Sequence, residues 1–111
     1  METVVKNRIW IEKDGQLFLG PGRVELLMKI DEHGSMLSAA KAMNMSYKKA
    51  WRMVQEMQQI STKPIIVKNA GGKNGGGSTL TEYGRTLAKN YDDINRQCKA
   101  FLRDAFTKIE L

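Results

Sequence analysis

Ser35-Met36-Leu37-Ser38-Ala39-Ala40-Lys41-Ala42-Met43-Asn44-Met45-Ser46-Tyr47-Lys48-Lys49-Ala50-Trp51-Arg52-Met53-Val54 reads as two helices joined by a tight turn. Ser35 and Ser46 each precede a helical pattern and suit the N-cap, where a hydroxyl accepts an otherwise orphaned backbone N–H. Asn44 tolerates the left-handed turn conformation that usually calls for glycine. Ala39, Ala40 and Met43 form the inner face of the first helix, and small Ala40 lets the two helices cross closely. Met45, Ala50 and Val54 hold the crossing angle, while Ala50, Val54 and Met57 share one stripe of the second helix. Lys48, Lys49, Arg52 and Gln55 lie away from that stripe. This is a helix-turn-helix pattern, in which the N-terminal half of the second helix projects polar side chains into a DNA major groove. Ser46, Tyr47, Lys48, Lys49 and Arg52 are the projecting set. Arginine and lysine donate to guanine edges or phosphates, and a tyrosine bonds a phosphate or packs on a sugar. Alanine-rich helical hairpins are common in other proteins too, so the flanking segments decide.

Upstream, Val24, Leu27, Met28 and Ile30 recur at near-helical spacing, which predicts a helix over about 22–33 that stops at Gly34. Before it, Arg8–Lys13 and Gln16–Leu19 flank Asp14-Gly15, a β-hairpin signal. Downstream, Thr62-Lys63-Pro64 ends the recognition helix. Ile65-Ile66-Val67 then reads as a strand, with a return strand near Ser78–Leu80. Between them Gly71-Gly72-Lys73-Asn74-Gly75-Gly76-Gly77 is a glycine-rich loop tip. A third helix followed by a β-hairpin with a basic tip is a winged helix. Lys68, Lys73 and Asn74 sit where a wing (about 65–81) would lie along the DNA backbone or minor groove. Thr81 caps a long helix expected over about 82–108. Its apolar positions Leu87, Tyr91, Ile94, Cys98, Phe101 and Ala105 form a heptad seam, widened by Leu102, Phe106 and Ile109. A helix of about 26 residues is about 39 Å long, more than so small a domain covers. A second copy on the seam is expected, and a helix folded back on its own domain is the alternative.

The chain has 111 residues, a net charge of +6 and one cysteine, Cys98. That fits a single domain over 1–111 and excludes an internal disulfide; a cytoplasmic setting is expected. The charge is lopsided. Lys41–Asn90 holds nine basic residues against Glu56 and Glu82, a net +7, and the remainder is −1. A clustered basic field favours a polyanion, most often nucleic acid, although a solvated basic face would read the same way. The basic residues do not form one face of a strongly apolar helix, so a membrane surface is not expected.

Gly34-Ser35, Ser38-Ala39-Ala40-Lys41-Ala42, Met45-Ser46-Tyr47-Lys48-Lys49-Ala50-Trp51, Gly71–Gly77 and Leu80-Thr81-Glu82-Tyr83-Gly84 resemble the N-terminal domain of ModE, the molybdate-responsive transcription regulators. The likeness runs from about Gly22 to Tyr91. LysR-type regulators share a looser version of the same helix-turn-helix. The resemblance implies a dimeric winged helix with the third helix in the major groove. It also implies an N-terminal hairpin integral to the domain and terminal helices at the dimer interface. Two departures matter. Asn44 replaces the usual turn glycine, and the family's C-terminal molybdate-binding domains have no counterpart before Leu111, so molybdate binding is not expected of this chain.

His33 reads as a helix-end charge partner. One histidine and one cysteine make no metal set, so no metal or cofactor is expected. No serine sits on a nucleophile elbow, and no acid–base constellation points to an enzyme. The glycine loop lacks the Lys-Ser/Thr of a phosphate loop. Six of seven methionines fall between Met28 and Met57 and read as core packing. Trp10 reads as hairpin packing, Trp51 as core or backbone-facing and Cys98 as a small buried hydrophobe. The expected fold is mainly α with small β (α+β), a winged helix-turn-helix. The expected function is a homodimeric transcriptional regulator that binds double-stranded DNA. The alternative is a winged-helix module that docks a separate sensor protein.

Overall fold

The computed structural model describes residues 1–69 and 77–111. Two short antiparallel sheets bracket three helices, and a fourth helix runs out from them. Strands β1 (Ile11–Lys13) and β2 (Gln16–Leu19) pair with Lys13 opposite Gln16 and Ile11 opposite Leu19, with a bulge at Ile11/Glu12. Asp14 and Gly15 both take positive φ, 52° and 77°. That is the primed two-residue turn whose twist matches the strands, and it explains the Asp-Gly pair. Phe18 and Leu19 on β2 are buried.

Helix α1 (Pro21–His33) starts with proline in its first turn, and the Gly34 N–H donates to the Ile30 carbonyl at its end. Helix α2 (Met36–Ala42) is capped by the Ser35 hydroxyl, which accepts the Ser38 N–H at 3.1 Å. Asn44 takes the left-handed φ of 54°. Helix α3 (Tyr47–Ile60) is capped by the Ser46 hydroxyl, which accepts the Lys49 N–H at 3.0 Å. Leu26, Leu27 and Ile30 of α1, Ala39 and Ala40 of α2, and Ala50, Val54 and Met57 of α3 form one buried cluster. Removing such side chains from water contributes about 25 cal/mol per Å² of apolar area, and it fixes the crossing of α2 and α3.

Strands β3 (Ile66–Asn69) and β4 (Gly77–Leu80) follow, with Ile66 opposite Leu80 and Asn69 opposite Gly77. The base of this hairpin is held from α3, where Gln58 accepts the Ile65 N–H at 2.8 Å and donates to the Lys63 carbonyl at 2.9 Å.

Helix α4 (Glu82–Phe106) is capped by Thr81, whose hydroxyl accepts the Gly84 N–H at 3.0 Å. Gly84 is required where this helix crosses the base of β3. A Cβ there would sit 2.3 Å from the Ile65 carbonyl oxygen. At 25 residues α4 is about 37 Å long. Its fully buried positions end at Tyr91, whose hydroxyl donates to the Ile9 carbonyl at 2.9 Å and ties the N-terminal hairpin to the helix. No helix among the described residues is long and apolar enough to cross a membrane.

Candidate nucleic-acid interface

The side chains of α3 divide by helical phase. Ala50, Val54 and Met57 are buried. At about 100° per residue the opposite face carries Lys48, Arg52, Gln55 and Gln59. Lys49 lies on the flank toward the N-terminal hairpin, beside Met53 and Glu56. Tyr47 and Trp51 lie on the other flank, 49% and 47% exposed, on the side where Gln58 holds the hairpin base. Lys48, Lys49 and Arg52 are exposed. Among the described residues no carboxylate comes within 4 Å of any of them, nor of Lys41 on α2 or Lys68 on β3. The Ser46 oxygen is occupied in capping, and its O–H stays free to donate.

The expected residues therefore fall into groups. Ser46, Tyr47, Lys48, Lys49 and Arg52 share one continuous surface at the start and outer face of α3. Lys68 is exposed on β3, opposite Ser78. Lys73 and Asn74 lie outside the described residues. Trp51 is not a core residue. Half of it is exposed, because it stands four residues after Tyr47 and follows that flank instead of the Ala50 stripe. Helix phase carried this signal; residue type, apolar and aromatic, obscured it. Lys41, exposed on α2, adds a cation to the open set named above.

The basic segment is less uniform than its net charge. Arg85 is held by Asp31, with Nε 2.9 Å from Oδ2 and Nη2 3.0 Å from Oδ1. Lys89 meets Asp93 at 2.8 Å. Among the described residues of this segment the open positive charge thus lies on α2, α3, β3 and Lys63, which stands over the Tyr83 ring, and the part that falls on α4 is neutralised locally. Glu56 is engaged by Arg23 at 2.7 Å, so it does not oppose Lys49 or Arg52. Hydrogen bonding from Arg85 holds the Asp31 carboxyl below its ordinary range, against a smaller upward push from desolvation.

The seam of α4 is divided as well. Leu87 packs on the buried cluster, and Tyr91 is 3% exposed within its own chain. Cys98 is half-buried and takes a contact from the Asn7 side-chain amide at 3.3 Å, so it is not a fully buried hydrophobe. Residues 3–7 run beside Lys99, Leu102, Arg103 and Phe106, leaving a groove of about 610 Å³. Ile94 and Phe101 point outward, 53% and 71% exposed. Ala105 and Leu102 are half-buried. Trp10 is over half exposed, and its indole N–H donates to Glu12 of the same hairpin at 2.9 Å. Among the described residues no group of three His, Cys, Asp or Glu could hold a metal ion.

A capped α2–turn–α3 unit with an unpaired basic outer face, followed by a hairpin seated on its base, defines a winged helix-turn-helix. Residues 22–85 match the family of bacterial regulatory helix-turn-helix proteins of the lysR type, and the chain belongs to that family. Over 80 residues the chain is 46% identical to the transcriptional regulator ModE of Haemophilus influenzae, covering 72% of this chain and 31% of that protein. It is 42% identical over 87 residues to the DNA-binding transcriptional dual regulator ModE of Escherichia coli K12, covering 78% and 33%. It is 38% identical over 84 residues to the molybdenum transport protein ModE of Azotobacter vinelandii, covering 76% and 31%. The chain spans about a third of the length of these relatives.

Proposed function

We propose that this chain binds double-stranded DNA as a homodimer and regulates transcription, with α3 in the major groove and the β3–β4 wing along the backbone. The observation that carries the reading is the outer face of α3 with its adjoining flank, where Lys48, Arg52 and Lys49 stand exposed with no carboxylate within 4 Å among the described residues. Cations held open in this way gain most from phosphate oxygens, because neutralising a phosphate releases condensed counterions. On this reading Arg52 reads a base edge, Ser46 and Tyr47 anchor at the groove wall, and Lys68, with Lys73 and Asn74, follows the backbone.

The dimer reading rests on Ile94 and Phe101, two large apolar side chains seven residues apart on α4 that their own chain leaves uncovered. Leu87, Tyr91, Cys98, Leu102 and Ala105 then support that seam from within the protomer. Two-fold symmetry would set two half-sites about one helical turn apart. The site of action is the cytoplasm, where bacterial DNA lies. The names of two relatives refer to transcription regulation and of a third to molybdenum transport. Sequencing genomic fragments that this chain selects would show which genes it binds and whether a molybdenum link carries over.

Binding measured against salt tests the reading. About six to ten phosphate contacts predict a log–log slope of roughly −5 to −9. No binding, or a flat slope, overturns it in favour of a module that docks another protein.

A further inference from the structure

In an antiparallel strand, alternate backbone N–H groups point to the same edge. One edge of β4 is paired with β3. On the other, the Ser78 N–H donates to the Gly34 carbonyl at 2.9 Å, and the Leu80 N–H donates to Asp31 Oδ1 at 3.1 Å. Gly34 closes α1, and Asp31 lies in its last turn. The free edge of the wing is therefore met by acceptors from α1, as a third strand would meet it. A two-stranded hairpin alone is marginal in water, so a third partner on β4 decides where the hairpin stands.

The position of Asp31 would otherwise be unfavourable, since a carboxylate near a helix C-terminus opposes the helix dipole. Arg85 compensates, because its guanidinium takes both oxygens and fixes the carboxylate plane with Oδ1 toward Leu80. An exposed ion pair of this kind contributes little stability by itself. Its effect here is orientation, linking α1, β4 and α4 at one point. Because α1 also packs on α2 and α3, the link runs from the wing to the helix-turn-helix.

We propose that Asp31 is the positioning residue of the wing: it seats β4 on α1 and so sets where the wing's cations meet DNA. The inference rests on the proposed wing–backbone contact, and its test separates the two. Asp31→Ala, Lys68→Ala and the double variant are compared with the unmodified chain on a mixed-sequence DNA duplex over a range of salt. Lys68→Ala should reduce the slope by about 1. Asp31→Ala should reduce it by a similar amount, and the double variant should go no further than Asp31→Ala alone. In the free protein the Leu80 amide should exchange about tenfold faster or more in Asp31→Ala. If Asp31→Ala fails to fold by circular dichroism, Asp31→Asn, which keeps one acceptor oxygen and drops the charge, should shift both readouts in the same direction by less. If Lys68→Ala lowers the slope while the Asp31 variants leave the slope and the Leu80 exchange unchanged, the positioning role is overturned and the wing contact stands. If Lys68→Ala leaves the slope unchanged and the Asp31 variants still speed Leu80 exchange, the seat on α1 stands and the wing–backbone contact is what fails.

Discussion

On α3, Lys48 and Arg52 project from the outer face and Lys49 from the adjoining flank, with no carboxylate within 4 Å among the described residues. On α4, Arg85, Lys89 and Arg96 each meet an aspartate, Asp31, Asp93, and Asp92 with Asp93, and just past the helix end Lys108 meets Asp104. Both helices are amphipathic and both carry many charges. Their uncovered surfaces nevertheless suit different partners. The outer face of α3 is cationic and polar, with its aromatic residues on one flank. Over its whole length α4 sets five cations against four acids, with Lys99 and Arg103 outside the ion pairs among the described residues, and Ile94 and Phe101 stand out from its far half. A polyanion gains from the first surface, and an apolar surface of similar shape gains from the second. Net charge summed over the segment conceals this difference, because it counts Arg85 and Lys89 together with Arg52.

The largest expected effect comes from breaking the α4 side. Replacing both Ile94 and Phe101 with aspartate should halve the mass seen by sedimentation. It should also weaken binding to a paired half-site by about 10²–10⁴, the usual gain from linking two binding modules. A dimer that survives both changes would place the interface elsewhere. Next is Arg52→Ala on α3, which should cost about 1–3 kcal/mol in binding and relax preference at one base position. A uniform loss across all sequences in a competition assay would make Arg52 a phosphate contact.

Acid should act on one side of the comparison only. Asp31 and Asp93 both have lowered pKa values, through hydrogen bonds from Arg85 and Lys89 respectively. Their contribution is therefore present above the ordinary carboxylate value and is lost as pH falls through the lowered folded value, below about pH 4. Asp31→Asn should show a shallower loss of stability through that window in acid-denaturation curves. An unchanged acid limb would mean that the pair persists in the unfolded chain or contributes nothing. The smallest effect belongs to Lys89→Ala. Removal of an exposed i,i+4 pair should change thermal stability by about 0.5 kcal/mol or less. It should leave the salt slope of DNA binding unaltered; a drop in slope would return α4 to the DNA-binding surface.

Features written in local chemistry were legible from the sequence. Asp14-Gly15 marks its turn because both positions need positive φ. Ser35, Ser46 and Thr81 mark helix starts because their hydroxyls cap amides three residues on. The buried stripe of Ala50, Val54 and Met57 follows from helical spacing. What depended on elements distant in sequence was not legible. Asp31 lies 49 residues from Leu80 and 54 from Arg85, and nothing around it signals the contact. The heptad seam on α4 is correct as a helical pattern. Spacing alone gives no sign that Tyr91 turns toward Ile9 while Phe101 turns to solvent. For Trp51, residue type leaves core and backbone-facing positions both open, and phase relative to Tyr47 removes the core one.

The hydrogen bond from Tyr91 to the Ile9 carbonyl joins residues 82 apart and closes most of the chain into one loop. Loop closure costs entropy before any contact offsets it, so contacts of this span form late. The α2–turn–α3 unit, built from neighbours in sequence, has no such barrier. Folding is then expected to assemble the helix-turn-helix early, with β2 seated on α3, and to dock residues 3–9 onto α4 last. During synthesis residues 3–9 would wait for their helix until Tyr91 has emerged, while β2 can already settle on α3.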